Sequence, residues 1–212
     1  MESKTLSAEQ WYNTISQDGM TLEYAPIELK TPEMCLAAVS NYGSVLKFVP
    51  KILKTPDICL AAVTEDVMAL KFVPDELKTS DMCMTAVSIC GAALEFVPGT
   101  LKTSDVCLIA VSQDGRALEH VPNELKTSGM CMTAVSKDGN SLEFVLDELK
   151  TPELCLAAVS NYGFALKFVP GKLKTLDICR AAVSRNGQAL QFVPDVLKTP
   201  DICLAAKRSR HR

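Results

Sequence analysis

A period of 24 residues runs through this sequence. Eight cysteines mark it, because each follows the previous one after 24 residues, and only Cys90 lies outside the series. Stepping back one period from the first of them reaches Trp11, so a divergent copy stands at the start. Such a period, without insertions, is typical of repeat proteins whose short units bury their apolar surface against their neighbours. The cysteines of the series are Cys35, Cys59, Cys83, Cys107, Cys131, Cys155, Cys179 and Cys203.

The period divides the chain into eight copies and a partial ninth that ends after Ala206. No change in spacing interrupts them, so we predict one repeat domain over residues 1–206, with a first copy at residue 7, followed by a basic tail over residues 207–212. The copies begin at Ser7, Thr31, Thr55, Thr79, Thr103, Thr127, Thr151, Thr175 and Thr199.

Within one copy the pattern indicates two short helices. Thr55 suits a helix N-cap, Pro56 the first helical position and Asp57 the positive end of the helix dipole. Residues 58–63 are all apolar. In most copies a glycine follows the equivalent stretch, and we interpret it as a helix stop in the left-handed conformation. Val67 takes that place once, which predicts a different turn or local strain there. We therefore predict an all-α solenoid of two-helix repeats, stabilised by stacking.

A leucine-rich-repeat-like α/β solenoid is the alternative. The range of leucine-rich-repeat lengths also includes 24 residues, and the L-x-F-V-P segment would then be a short strand. The leucine-rich pattern with its recurring asparagine is missing, which favours the all-α fold.

The text of residues 151–170, T-P-E-L-C-L-A-A-V-S-N-Y-G-F-A-L-K-F-V-P, resembles a short bacterial repeat of unknown function. The resemblance covers residues 7–206 and is specific at the A-A-V, G-x-A-L and L-K landmarks. Repeats of that family occur in tandem arrays, including in candidate effectors of intracellular bacteria. The resemblance therefore implies a bacterial origin and an effector or interaction role, and it transfers no catalytic or binding residue.

The cysteine spacing suits neither a zinc site nor a disulfide ladder. Zinc ligands come in closely spaced pairs, and stacked helices hold equivalent residues about 8–10 Å apart, beyond disulfide reach. We predict buried apolar thiols in a reducing compartment, either cytoplasmic or inside a host cell, with no metal and no cofactor. Cys90, near a helix end, is the candidate reactive thiol. The first ten residues are too polar for a signal peptide, and no stretch is long enough to span a bilayer.

Two other columns recur. The aromatic column, in which His120 replaces one phenylalanine, lies between leucine and valine, so we predict that it packs in the core, with His120 a neutral core residue. The lysine column, such as Lys54, has an acidic residue three positions later, such as Asp57. We predict a mixed, solvated edge rather than a track for nucleic-acid phosphates.

The positions beside each glycine vary between copies, so the core does not dictate them. We predict that this rim of helix-end turns is a recognition surface, since aromatic residues dominate binding hot spots. Its candidate residues are Tyr42, Tyr162, Phe164, Arg116 and Asn140.

No catalytic motif occurs, and a chain that repeats one environment offers no unique constellation, so we do not expect an enzyme. We predict a scaffold for protein–protein interaction. The alternatives are a nucleic-acid binder using the lysine column and the basic tail, which the net charge of −3 does not favour, and a structural spacer. We expect any self-association to use the C-terminal repeat end.

Overall fold

The structure, a computed structural model, describes residues 6–209 and is built from one helical repeat. Each complete copy contains an α-helix of ten residues, a 3₁₀ helix of six residues and a 3₁₀ helix of three residues. No strand occurs in the part of the chain that the structure describes, so the all-α repeat fold is confirmed and the α/β alternative is wrong. The predicted two helices per copy are in fact three, because the chain coils once more after the proline.

The structure divides after Leu101 into two compact units, of which the N-terminal one is called unit 1. Its α-helices are α1 (Ala8–Gln17), α2 (Pro32–Asn41), α3 (Pro56–Glu65) and α4 (Ser80–Ile89). Its 3₁₀ helices are Gly19–Tyr24, Ile27–Leu29, Gly43–Phe48, Lys51–Leu53, Val67–Phe72, Asp75–Leu77, Gly91–Phe96 and Gly99–Leu101.

The second compact unit, unit 2, begins at Lys102. The repeat length does not change between the units, and the single domain over residues 1–206 stays a prediction. The α-helices of unit 2 are α5 (Ser104–Gln113), α6 (Ser128–Lys137), α7 (Pro152–Asn161), α8 (Leu176–Arg185) and α9 (Pro200–Ser209). Its 3₁₀ helices are Gly115–His120, Asn123–Leu125, Gly139–Phe144, Asp147–Leu149, Gly163–Phe168, Gly171–Leu173, Gly187–Phe192 and Asp195–Leu197.

The predicted start of each copy coincides with the N-cap of an α-helix. Thr151, for example, is extended and its hydroxyl accepts a hydrogen bond from the backbone N–H of Leu154. Ser7 adds a capping box with Gln10 in the first copy. These bonds satisfy an N–H group that has no partner inside the helix.

Inside each unit the core repeats the same few positions. In α7, the residues Leu154, Cys155, Ala158 and Val159 are buried, and Leu166 follows from the next 3₁₀ helix. This apolar face is too small to stabilise a ten-residue helix alone, so neighbouring copies complete it. Successive α-helices pack side by side, and each also packs on the 3₁₀ helix of the preceding copy.

The recurring glycine serves close packing and not a left-handed turn. No glycine among the described residues has a positive φ, so that interpretation was wrong. Gly163 is the first residue of its 3₁₀ helix, and a Cβ atom built on it would lie 2.5 Å from the carbonyl oxygen of Ala182 in α8. A side chain at this position would therefore push the next α-helix away.

Val67 shows what happens without that glycine. Its 3₁₀ helix, Val67–Phe72, has the same length as the others and an aspartate cap like that of Gly115–His120, so the predicted change of turn was wrong. The difference lies in packing, since α4 lies less closely against α3 and against this 3₁₀ helix than α3 lies against α2 and Gly43–Phe48. We attribute the looser junction to the bulk of Val67.

The predicted basic tail begins as helix. Lys207, Arg208 and Ser209 belong to α9, and the hydroxyl of Ser209 accepts a hydrogen bond from the backbone N–H of Gly187 at 3.2 Å. The predicted boundary at residue 206 therefore falls inside this helix, while residues 210–212 lie outside the described part of the chain.

Candidate interaction surface on the 3₁₀ helices

The residue before each six-residue 3₁₀ helix is its N-cap. Asp114 and Asp138 accept a hydrogen bond from the backbone N–H of the residue two positions later, at 2.9 Å in both cases. Those N–H groups belong to Arg116 and Asn140, two of the predicted rim residues. Asp18, Asp66 and Asn186 make the same bond in their copies.

Three copies lack this cap. Tyr42, Cys90 and Tyr162 stand in the same position and provide no side-chain hydrogen bond to the 3₁₀ helix. A capping bond of this kind contributes about 1 kcal/mol to stability. The two tyrosines nevertheless leave 51% and 39% of their surface exposed, so neither compensates by burying its whole ring in the core.

In unit 2, three aromatic rings from two successive copies meet at the surface. The ring centroids of Tyr162 and Phe164 are 5.8 Å apart, and those of Phe164 and Phe192 are also 5.8 Å apart with an edge-to-face tilt of 69°. Both distances fall in the range that aromatic pairs prefer. Two of the predicted rim residues, Tyr162 and Phe164, are therefore brought together, with Phe192 as a third member. We call these three residues the aromatic cluster.

The structure does not bring the other predicted rim residues into this cluster. Asn140 lies one copy before Phe164 and Arg116 lies two copies before it, each at the position that Phe164 occupies in its own copy. Tyr42 belongs to unit 1, where Ser44 replaces that phenylalanine, and no ring contacts Tyr42 among the described residues. Asn161, at the end of α7, joins copies instead: its side chain donates to the carbonyl of Ser136 and accepts from the backbone N–H of Gly139.

The aromatic column is half-exposed, so its prediction as a core column was wrong. Phe168 is half-buried at the end of its 3₁₀ helix, and the ammonium group of Lys167 lies 4.3 Å from its ring centroid. Lys47 and Lys71 lie over the rings that follow them in the same way. His120 shares this half-buried position and is not a core residue. The same position in the other copies holds Tyr24, Phe48, Phe72, Phe96, Phe144 and Phe192.

The lysine column is neither a solvated edge nor paired with the acidic residues that follow it. The ammonium group of Lys54 donates to the backbone carbonyl of Phe72 at 2.7 Å, and burial lowers the pKa of Lys54. Lys150 makes the same bond to Phe168, and its side chain is only 9% exposed. Where a lysine of this column forms an ion pair, the carboxylate lies three residues earlier, as in Lys150 with Asp147 at 2.9 Å. The remaining bonds join Lys30 to Phe48, Lys78 to Phe96, Lys102 to His120, Lys126 to Phe144 and Lys174 to Phe192.

The cysteines are free thiols, and their predicted burial is confirmed for seven of the eight in the periodic series. Burial raises the pKa of each of these seven thiols, as it does for Cys155, which keeps them protonated and weakly nucleophilic. Cys203 in the last copy is half-buried, and so is Cys90 at the end of α4. The special reactivity of Cys90 stays a prediction.

Residues 6–209 contain neither a cluster of metal-binding side chains nor a helix that could span a membrane. No group of three or more His, Cys, Asp or Glu side chains is arranged to hold a metal ion there. None of the helices in that part of the chain has the length and apolar character needed to cross a bilayer.

These features define a tandem α-helical repeat protein whose copies are joined by lysine–carbonyl bonds and glycine contacts. The family model described as a domain of unknown function, DUF4116, matches residues 12–54, 31–78, 55–102, 79–126, 129–174 and 151–198. The chain therefore belongs to the DUF4116 family, as its resemblance to a short repeat of unknown function indicated. Neither the search of curated proteins nor the search of solved structures found a match.

Proposed function

We propose that this protein is a non-enzymatic scaffold that binds a partner protein through the aromatic cluster of unit 2. One observation carries the proposal: Tyr162 occupies a position that holds a capping aspartate in four other copies, and its ring joins two others at the surface. A capping aspartate at this position would stabilise the 3₁₀ helix, whereas an exposed tyrosine ring offers a contact to a partner. Half-exposed aromatic residues in a packed group are typical anchors of protein interfaces.

The lysine column supports the scaffold more than the nucleic-acid alternative. A phosphate track needs ammonium groups that are free to meet phosphates, whereas these lysines donate to main-chain carbonyls of the next copy. The family resemblance to repeats in candidate bacterial effectors agrees with delivery into a host cell, where the partner would be a host protein.

The chain itself supplies the substitutions for a test. The double variant Tyr162→Asp, Phe164→Ser introduces the capping residue found in four other copies and the residue at position 44 of the second copy. The restored cap adds about 1 kcal/mol, so this variant should fold at least as well as the native chain. The matched control is Tyr42→Asp in unit 1, which restores a cap without touching the cluster.

We would compare proteins captured from bacterial and host lysates by the native chain, the double variant and the control. A captured protein is then purified and its affinity measured for each form by titration calorimetry. We expect binding to the native chain and the control, and a loss of about tenfold or more with the double variant. Equal affinity for all three forms, or no directly binding protein, would contradict the proposal.

A further inference from the structure

A second exposed surface lies on the α-helices of unit 1. Each of the first three α-helices leaves one large apolar side chain exposed at an equivalent position. They are Tyr12 at 43%, Leu36 at 41% and Leu60 at 53% exposure. The half-buried Met84 holds the same place in α4. We call these four positions the apolar row.

An acidic row runs beside the apolar row. Three residues before each of its members stands an exposed carboxylate, which is one helical turn away and hence on the same face of the helix. Helices α1 to α4 contain no lysine, arginine or histidine, and none of their carboxylates forms an ion pair among the described residues. The acidic row consists of Glu9, Glu33, Asp57 and Asp81.

Three of the five α-helices of unit 2 differ in this respect, whereas α5 and α7 repeat the acidic and apolar positions without a basic residue. They keep exposed leucines at the same position, with Leu108 at 44% and Leu156 at 41%. However, α6, α8 and α9 add basic residues that unit 1 lacks, and Arg180 pairs with the acidic residue of its own helix at 3.1 Å. Unit 1 therefore has four consecutive acidic helices without a basic residue, and its surface is complementary to a basic partner.

A shallow groove lies between α2 and α3 on this surface. Its volume is about 460 Å³. Leu60 and Ala61 provide its apolar part, while Asp57 and Glu65 are its acidic residues. Ser40 and Thr64 also line it, and their hydroxyl groups already donate to carbonyls one turn earlier. An incoming group would therefore meet an apolar patch bordered by carboxylates.

The spacing of the apolar row selects the form of the partner. Packed helices lie about 8–10 Å apart, so the row offers one apolar contact at about that interval. A partner helix presents every seventh residue on one side at about 10.5 Å intervals. A strand cannot match it, because residues three apart, at about 10 Å, point to opposite faces. The row is most regular over α1 to α3, since α4 packs less closely on α3.

We infer that the apolar and acidic rows of unit 1 bind an amphipathic basic helix of a partner protein. That helix carries a leucine-like residue at every seventh position and a lysine or arginine beside each one. Its apolar stripe covers Tyr12, Leu36 and Leu60, and its cations lie against the acidic row. This surface is separate from the aromatic cluster, so it adds a second kind of partner contact to the proposed scaffold.

The probe is a synthetic helical peptide of about three heptads, with leucine at the first and lysine at the fourth position of each heptad. It carries fluorescein, and binding to the full chain is measured by fluorescence anisotropy. A control peptide of the same composition distributes its leucines around the helix. We expect saturable binding of the first peptide and about tenfold weaker binding of the second.

Matched variants then locate the site. We expect Leu36→Ala with Leu60→Ala to weaken binding about tenfold or more, and the equivalent pair Leu108→Ala with Leu156→Ala in unit 2 to leave it unchanged. All four leucines are exposed, so both variants should fold, which circular dichroism checks.

A second pair of variants tests charge. One neutralises Glu33, Asp57 and Asp81, and its control neutralises three exposed acidic residues outside the α-helices of unit 1, namely Glu23, Glu28 and Glu95. Both lose the same net charge, and only the first should weaken binding. The inference is overturned if the peptide does not bind, if both charge variants weaken it equally, or if the unit 2 leucine variant has the larger effect.

Discussion

The glycine contact in unit 2 predicts opposite effects for two substitutions that look alike. In Gly163→Ala the new Cβ atom would lie 2.5 Å from the Ala182 carbonyl oxygen and 3.0 Å from the backbone nitrogen of Asn186, so α8 must move away. Overpacking of this kind costs about 2 kcal/mol. In Gly171→Ala the new atom meets nothing within 4 Å, and the lower entropy of the unfolded chain adds about 0.5 kcal/mol.

Urea unfolding followed by far-ultraviolet circular dichroism measures the difference. With a dependence of about 2 kcal/mol per molar urea, Gly163→Ala should lower the unfolding midpoint by about 1 M and Gly171→Ala should raise it by about 0.25 M. Both substitutions place alanine in a 3₁₀ helix, so helix propensity does not separate them. Equal midpoints for the two variants would refute the role of the glycine as a contact between copies.

The remaining predictions concern other packing positions. Val67→Gly should let α4 close onto α3 and slow amide exchange in α4 about tenfold, and unchanged exchange would show that Val67 does not cause the loose junction. Ser141→Ala should raise stability by about 1 kcal/mol in urea unfolding, because the buried Ser141 hydroxyl has no hydrogen-bond partner. In native protein a thiol reagent should label Cys90 and Cys203 quickly and the seven buried thiols only after unfolding; rapid labelling of more than two would contradict this. Burial raises the pKa of those seven thiols, so the folded state holds their protons longer, and stability should fall as pH rises above about 8.5. Lys54 and Lys126, whose pKa burial lowers, act in the opposite direction but are fewer, so a rising urea midpoint between pH 8 and 10 would refute the assignment.

Local signals predicted the helix starts, because they need no tertiary information. Thr55 was recognised as an N-cap from its residue type and from the Pro56 and Asp57 that follow it, and in the structure its hydroxyl accepts a bond from the backbone N–H three residues later. The all-α fold followed from the same pattern. The reduced status of the cysteines followed from their 24-residue separation.

The direction of the aromatic column could not be read in the same way. A 3₁₀ helix has three residues per turn, so Gly43, Leu46 and Val49 share one side and are buried. Phe48 lies on a neighbouring side of the helix, at the boundary of the core. The residue before it, Lys47, is exposed, and the residue after it, Val49, is buried. The core prediction rested instead on the leucine and valine that lie beside the ring in the sequence. Phe192 was missed in the cluster for this reason.

The lysine partners were equally invisible, because the acceptor is a main-chain carbonyl and not a side chain. The acidic residues three positions later suggested charge pairs, whereas the structure joins Lys54 to a carbonyl 18 residues away. Every residue has a backbone carbonyl, so the type of the acceptor residue in the next copy does not show that it accepts a bond from the lysine.

That fixed separation of 18 residues limits how a gene for this protein can change in length. An insertion or deletion inside the segment from Lys54 to Phe72 would move the carbonyl away from the ammonium group and the glycine contact out of place. Gain or loss of whole 24-residue copies keeps every such bond intact. Residues 31–50 and 151–170 differ at only three of twenty positions, so recombination between them would change the array by complete copies. Natural variants should therefore differ in copy number more readily than in the length of a copy.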